Sequence, residues 1–163
     1  MKYSVSSIIK IDNTQSELWN LITSPGHLNL VHPFCMDNKA INWGDNEKKK
    51  DYLIYLNGIK YYREFFKWEE EKGYELWIGK KNGKKSLVKW DILNNFNELK
   101  LEITVYPYKS SKIWNSIYFL IFYIYIKPML KSYLNSVLKG IKWYIEKKVP
   151  VSKNQFGRHS WFT

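Results

Sequence analysis

Residues 51–68 read DYLIYLNGIKYYREFFKW, two runs rich in aromatic and β-branched side chains on either side of Asn57-Gly58. An Asn-Gly pair between such runs is a hairpin signal, because a type I′ turn needs positive φ at both central positions. A two-residue turn there sets Leu56 opposite Ile59, Ile54 opposite Tyr61 and Tyr52 opposite Arg63. Residues opposite one another in an antiparallel ladder share a face. Working outward, Asn82-Gly83 sets Trp77 opposite Val88 and Glu75 opposite Trp90, and a loop over Asn94 to Asn97 sets Ile92 opposite Leu99. Pairing Phe65 with Trp77 joins the hairpins into a meander with strands at 38–43, 51–56, 59–68, 74–79, 84–93 and 98–106. One face then collects Tyr52, Ile54, Tyr61, Phe65, Trp77, Val88, Trp90 and Ile92, with Arg63 and Glu75 as its only charges, while Lys60, Glu64, Lys89, Lys100 and Glu102 take the other.

Before the meander, residues 3–11 alternate as a strand, and Thr14 with Glu17 forms a capping box that opens a helix through Leu18-Trp19 and ends at Ser24-Pro25-Gly26. A short helical turn over His27 to Val31 precedes His32-Pro33. After Pro128, apolar residues recur at Leu130, Leu134, Val137, Leu138, Ile141 and Ile145, which predicts an amphipathic helix of about twenty residues. It needs a surface to cover, and a curved sheet supplies one. The order is β-α-α-β6-α, an α+β domain over 1–163 whose curved, antiparallel seven-stranded sheet wraps a long C-terminal helix, with 149–163 as a docked tail.

The chain holds 26 Lys+Arg against 15 Asp+Glu, a net charge of +11. Only Arg63 and Arg158 are arginine, and Lys, Asn, Ile and Tyr dominate while Ala occurs once, the mark of AT-rich codons rather than of a base-reading surface, which favours Arg. Nucleic acid is therefore not the expected partner. Cys35 is the only cysteine, which excludes an intramolecular disulfide and a four-cysteine zinc site. With no apolar leader in MKYSVSSIIKIDN, a cytoplasmic location is expected. Ile113 to Ile126 is fourteen uncharged residues, about 21 Å as a helix, too short to span a bilayer. Two readings stand for it: buried core or pocket wall, which length favours, and a weak membrane-surface contact through Trp114, Tyr118, Tyr123 and Tyr125 with Lys109, Lys112, Lys127 and Lys131 toward anionic lipid.

The element order resembles the START/SRPBCC superfamily, the helix-grip fold of polyketide cyclase/dehydrase-like and lipid-transfer proteins, from about Ser6 onward. Ile8 to Ile11, Leu18-Trp19 and Ser24-Pro25-Gly26 resemble its usual opening. More narrowly, His32-Pro33-Phe34-Cys35, Arg63 with Trp68, Gly73-Tyr74, Tyr106-Pro107 and the closing Asn154-Gln155-Phe156-Gly157-x-His159-x-Trp161-Phe162 are similar to an uncharacterised bacterial subfamily. The resemblance implies a cavity between sheet and helix for a hydrophobic or aromatic small molecule; it implies no reaction and no cofactor.

The residues expected at that cavity are Arg63, Tyr52, Tyr61, Trp77, Trp90, Glu75 and His32. Arg63 either anchors a ligand anion or enolate, or forms a structural ion pair with Glu75 or the C-terminal carboxylate. The aromatics would stack a planar ligand or simply fill a core. His32 with Cys35 could form an activated nucleophile, but a buried thiol is the commoner meaning. His27, His32 and His159 match no metal-ligand spacing, so no metal is expected. The tail either folds Arg158 and His159 over the cavity mouth as a polar lid or docks on the outer surface by Phe156 and Trp161.

Overall fold

A computed structural model describes residues 3–44, 48–95, 98–110 and 113–163. The meander and its flanking helices form as the hydrophobic pattern requires. Strand β1 (Val5–Lys10) precedes α1 (Gln15–Thr23) and α2 (Leu28–Val31). Strands β2 (Cys35–Asn42), β3 (Lys50–Tyr55), β4 (Lys60–Glu69), β5 (Gly73–Gly79), β6 (Lys85–Asn95) and β7 (Glu98–Tyr106) follow. They pair antiparallel in the order β1-β7-β6-β5-β4-β3-β2. A helical rod then runs through α3 (Asn115–Ile121), a π turn (Phe122–Ile126) and α4 (Lys127–Lys147). The sheet closes over α4, whose Leu130, Leu134, Val137, Leu138, Ile141 and Ile145 are buried. This is the helix-grip architecture, an α+β fold with a seven-stranded antiparallel sheet.

Thr14 caps α1 by accepting the Glu17 N–H at 3.2 Å. The Glu17 carboxylate pairs with Lys148 at 3.1 Å, tying α1 to the end of α4. At Gly140 the rod passes so close to α2 that an added Cβ would lie 2.0 Å from the Val31 carbonyl oxygen, so glycine is what permits this crossing.

The hairpin register departs from expectation in one decisive place. The β3–β4 turn has three residues: the Tyr55 N–H donates to the Ile59 carbonyl at 2.9 Å, the Gly58 N–H donates to Tyr55, and Gly58 sits at φ +82°. One added residue moves every β3 side chain to the opposite face. Leu53, not Ile54, stands opposite Tyr61, and Asp51, not Tyr52, stands opposite Arg63. Asp51, Leu53 and Tyr55 are buried, and Tyr52 lies on the outer side with Lys60 over its ring.

A second odd shift affects β5. The Asn82-Gly83 connection spans 80–84, with Gly79 opposite Lys85, and β4 carries a bulge between Phe65 and Lys67. Leu76 rather than Trp77 therefore faces Phe65 and Val88. Tyr74, Leu76 and Ile78 turn inward, Trp77 stacks on Phe66 outside the sheet, and Glu75 pairs with Lys67 and Lys89. The β6–β7 pairing sets Ile92 opposite Leu101 and Trp90 opposite Ile103, two residues from the expected register. An even shift keeps faces, so Val88, Trp90 and Ile92 remain inward. Phe96 and Asn97 of that loop lie outside the described residues, as does Lys112.

Pro128 does not begin the C-terminal helix, which continues through it from Asn115. The π turn just upstream relaxes the backbone where the proline ring and its missing N–H would otherwise disrupt an α-helix. The reading of 113–126 as buried wall holds for Tyr118 and Phe122, which are buried, and for Ile113 and Ile126, which pack half-buried against the core. Ile117, Leu120, Tyr123 and Tyr125 are exposed, Trp114 at 78% and Ile124 at 74%. No helix among the described residues is long and apolar enough to cross a membrane.

The tail follows the surface of the fold and then turns in. Val151 and Asn154 donate backbone N–H groups to Leu30 and Pro33 at 2.9 Å. His159 is buried with Nε2 3.0 Å from the Met129 carbonyl, Phe162 stacks on Tyr55 at 4.1 Å, and Trp161 Nε1 donates to the Tyr125 hydroxyl at 3.0 Å. The cover this makes is aromatic rather than polar.

Candidate functional site

Between the inner face of the sheet and α4 lies a cavity of about 370 Å³. That is the lower part of the range occupied by small-molecule sites. Its walls are chiefly apolar: Leu53 and Leu76 from the sheet, Leu130, Leu134 and Val137 from α4, and Trp161 with Phe162 from the tail. Of the residues anticipated from sequence, Arg63, Tyr61, Trp90 and His32 line it. Tyr52, Trp77 and Glu75 do not, for the register reasons above.

Arg63 is 3% exposed and its partner is Asp51, at 0%. The guanidinium donates from Nε to Asp51 Oδ1 at 2.7 Å and from Nη2 to Oδ2, a bidentate pair. Asn38 Nδ2 donates to the same carboxylate at 3.2 Å and to the Tyr52 carbonyl at 2.8 Å. Burial alone would loosen the guanidinium's proton, but the charge and hydrogen bonds of Asp51 outweigh it and the net shift is upward. The expected alternatives for Arg63, Glu75 or a terminal carboxylate, give way to a residue directly across the hairpin. Asp51 was hidden from sequence reasoning by the one-residue error in the turn.

Beside this pair runs a chain of hydrogen bonds from His32 Nε2 to the Tyr133 hydroxyl at 2.9 Å, and from there to the Tyr55 hydroxyl at 3.1 Å. His32 Nδ1 accepts the Phe34 N–H at 3.1 Å, which fixes the ring's hydrogen on Nε2. Burial, and then the Arg63 charge, lower the imidazole to about 3. Burial likewise raises both phenols. Tyr55 was missed with Asp51, on the same strand and for the same reason; Tyr133 flanks the apolar stripe of α4 one residue before Leu134 and carried no distinguishing signal.

Cys35 takes no part in this chain. Its thiol points to Asn29 Oδ1 at 3.6 Å and burial pushes it up to about 12, the opposite of what a nucleophile requires. His27 stands apart, with Nδ1 2.8 Å from the Ser24 carbonyl and a buried Nε2 that has no hydrogen-bond partner among the described residues. Among the described residues no group of three His, Cys, Asp or Glu side chains is placed to hold a metal.

No protein-family profile matches this sequence, and no curated protein matches it either. Solved structures do. A protein of unknown function from Staphylococcus aureus superposes with a TM-score of 0.66 at 11% identity, over 90% of this chain and 96% of that one. A START superfamily protein from Mycobacterium smegmatis gives 0.65 at 10% identity, over 90% and 99%. A protein of the dynemicin biosynthetic locus gives 0.65 at 13% identity, over 90% of this chain and 48% of that one. These likenesses establish a START-like fold.

Proposed function

We propose that this START-like protein binds a hydrophobic or aromatic small molecule between the sheet and α4, as a carrier or sensor. The observation that carries this is a cavity of about 370 Å³ walled chiefly by apolar and aromatic side chains, with Arg63, His32, Tyr55 and Tyr133 among its polar groups and Lys84 and Ser86 also on its wall. Turnover of the cyclase/dehydratase kind would want Arg63 free to meet an enolate and a proton-moving group that titrates near neutrality. Arg63 is committed to Asp51, His32 lies far below neutrality and Tyr55 and Tyr133 above it, which favours binding. Native mass spectrometry of gently purified protein is expected to show a retained small molecule. Val88→Trp, which fills the cavity from the sheet side, is expected to lower retention at least tenfold while far-UV circular dichroism is unchanged. A folded Val88→Trp protein that retains the molecule as well as the parent would exclude the cavity as its site.

A second reading concerns the surface of the rod. Trp114, Ile117, Leu120, Ile124 and Tyr125 are exposed on adjoining turns. Residues 103–145 contain no Asp or Glu, and residues 103–163 hold ten Lys+Arg against the single acid Glu146, so most of the net +11 belongs to this part of the chain. An apolar, aromatic helix face set in an all-basic stretch fits the surface of an anionic bilayer, where each basic residue contributes about 1 kcal/mol and Trp and Tyr settle at headgroup level. Flotation with phosphatidylglycerol-containing vesicles is expected to recover about tenfold more protein than with neutral phosphatidylcholine vesicles, and Trp114→Ala/Ile124→Ala to remove most of that gain. Recovery indifferent to lipid charge would remove the anionic lipid from this reading, and no recovery with either vesicle, or a solution dimer broken by the same substitutions, would replace the bilayer with another occupant.

A further inference from the structure

The hydrogens of the His32–Tyr133–Tyr55 chain can be counted. His32 Nε2 donates one to Tyr133, because its Nδ1 is already an acceptor. The two phenols share a single contact at 3.1 Å. Three hydrogens therefore serve two contacts. Whichever phenol donates to the other, one O–H remains, and no protein acceptor takes it among the described residues. Both rings line the cavity. A hydroxyl hydrogen left unmet in an apolar enclosure costs the desolvation of the group, and a ligand acceptor removes that cost.

The charge of the site constrains what the acceptor is. The bidentate Asp51 pair cancels the Arg63 charge and His32 is neutral, so a carboxylate placed against this pair would meet no free positive charge there; Lys84, the cavity's other cation, lies over the Tyr108 ring. A guanidinium has five N–H donors. Asp51 occupies two of them, and the remainder find no other protein acceptor among the described residues. The Arg63–Asp51 pair, His32 and the two phenols thus form a corner rich in donors and electrically balanced, with Lys84 as the one cation on the cavity wall outside it among the described residues.

We infer that the cavity's ligand carries a neutral carbonyl acceptor, as in a ketone, ester or amide, which meets the spare O–H of the Tyr55–Tyr133 pair beside Arg63. This deepens the small-molecule reading and rests on it. A matched set of probes separates the two: 2-acetylnaphthalene, its alkene isostere 2-isopropenylnaphthalene, and 2-naphthoate, each titrated against the emission of Trp90 and Trp161, the tryptophans that line the cavity. The ketone is expected to bind about tenfold more tightly than the alkene, with naphthoate weaker than the ketone at neutral pH. The infrared carbonyl stretch of the bound ketone is expected at lower wavenumber than in hydrocarbon solvent.

Tyr55→Phe/Tyr133→Phe moves the unpaired hydrogen back to His32 Nε2. That variant is expected to bind the alkene within about twofold of the parent, to cut the ketone's advantage to about threefold or less, and to return the stretch toward its hydrocarbon value. Unchanged circular dichroism and alkene binding show that it folds; if it does not fold, the parent's alkene-to-ketone ratio and the infrared shift decide alone. Alkene bound as tightly as ketone overturns the carbonyl assignment and leaves the cavity reading standing. No binding of any probe overturns both. A ketone advantage that survives in a folded double variant removes the tyrosine pair as its source, and naphthoate binding tighter than the ketone removes the requirement for neutrality.

Discussion

Asp51→Ala is expected to lower the free energy of unfolding by about 3–5 kcal/mol, because it leaves a buried guanidinium with no counter-charge. The pair sits across the β3–β4 hairpin with Arg63 at 3% and Asp51 at 0% exposure, so water cannot take over the role of the missing carboxylate. Asn38 would lose an acceptor as well, and with it one of the bonds by which β2 is held to β3. Breaking a buried pair and replacing it are different experiments. Asp51→Leu/Arg63→Met removes both charges together and is expected to recover most of the loss, since well-packed apolar substitutes for buried ion pairs are often neutral or better. Urea unfolding followed by circular dichroism gives both numbers. A single variant within about 1 kcal/mol of the parent would mean that the guanidinium reaches water or another anion.

Acidification from pH 7 to pH 5 is expected to destabilise the protein by roughly 3–4 kcal/mol, well above the pH at which its carboxylates protonate. His27 and His32 are each lowered to about 3 in the folded state, by burial first and then by the Arg63 charge. The unfolded chain takes up these two protons near 6.5, the folded chain only near 3. Their contribution to stability is therefore complete above 6.5 and is lost as pH falls through the interval toward 3. The geometry explains the resistance. A proton on His27 Nε2 would lie in the core with no acceptor, and a proton on His32 Nδ1 would confront the Phe34 N–H. Urea midpoints measured at pH 7 and pH 5 test the slope, and His32→Gln is expected to halve it. A midpoint that does not move across this interval would mean that both rings charge without unfolding.

How much of this was legible in the sequence depended on parity. Alternation and turn residues located all seven strands, because a half-buried strand cannot conceal its period. Which side chains face inward turned on loop lengths. Asn57-Gly58 serves a two-residue turn and a three-residue turn with a left-handed glycine equally well, and the difference exchanged Tyr52 and Ile54 for Asp51, Leu53 and Tyr55. Arg63 was recognisable as inward because a charge stood out in an apolar run; its partner, one residue from the expected place, was not. The β6–β7 pairing slipped by two residues and cost nothing, so Trp90 was placed correctly from a register that was not.

The π turn at Phe122–Ile126 has a geometric consequence for the whole rod. In an unbroken α-helix of 100° per residue, Phe122 and Tyr118 would lie about 110–150° away from the centre of the stripe formed by Leu130, Leu134, Val137, Leu138, Ile141 and Ile145. One residue inserted without added rotation brings both back into line with that stripe, and they are buried. The turn is a phase corrector: it lets a repeat of four in Tyr118, Phe122, Ile126, Leu130 and Leu134 follow one side of a helix that advances by 3.6. Deleting a single residue between 122 and 126 would leave each half of the rod helical and swing the first half by about 100°, exchanging the side chains that meet the sheet with those that meet the outside.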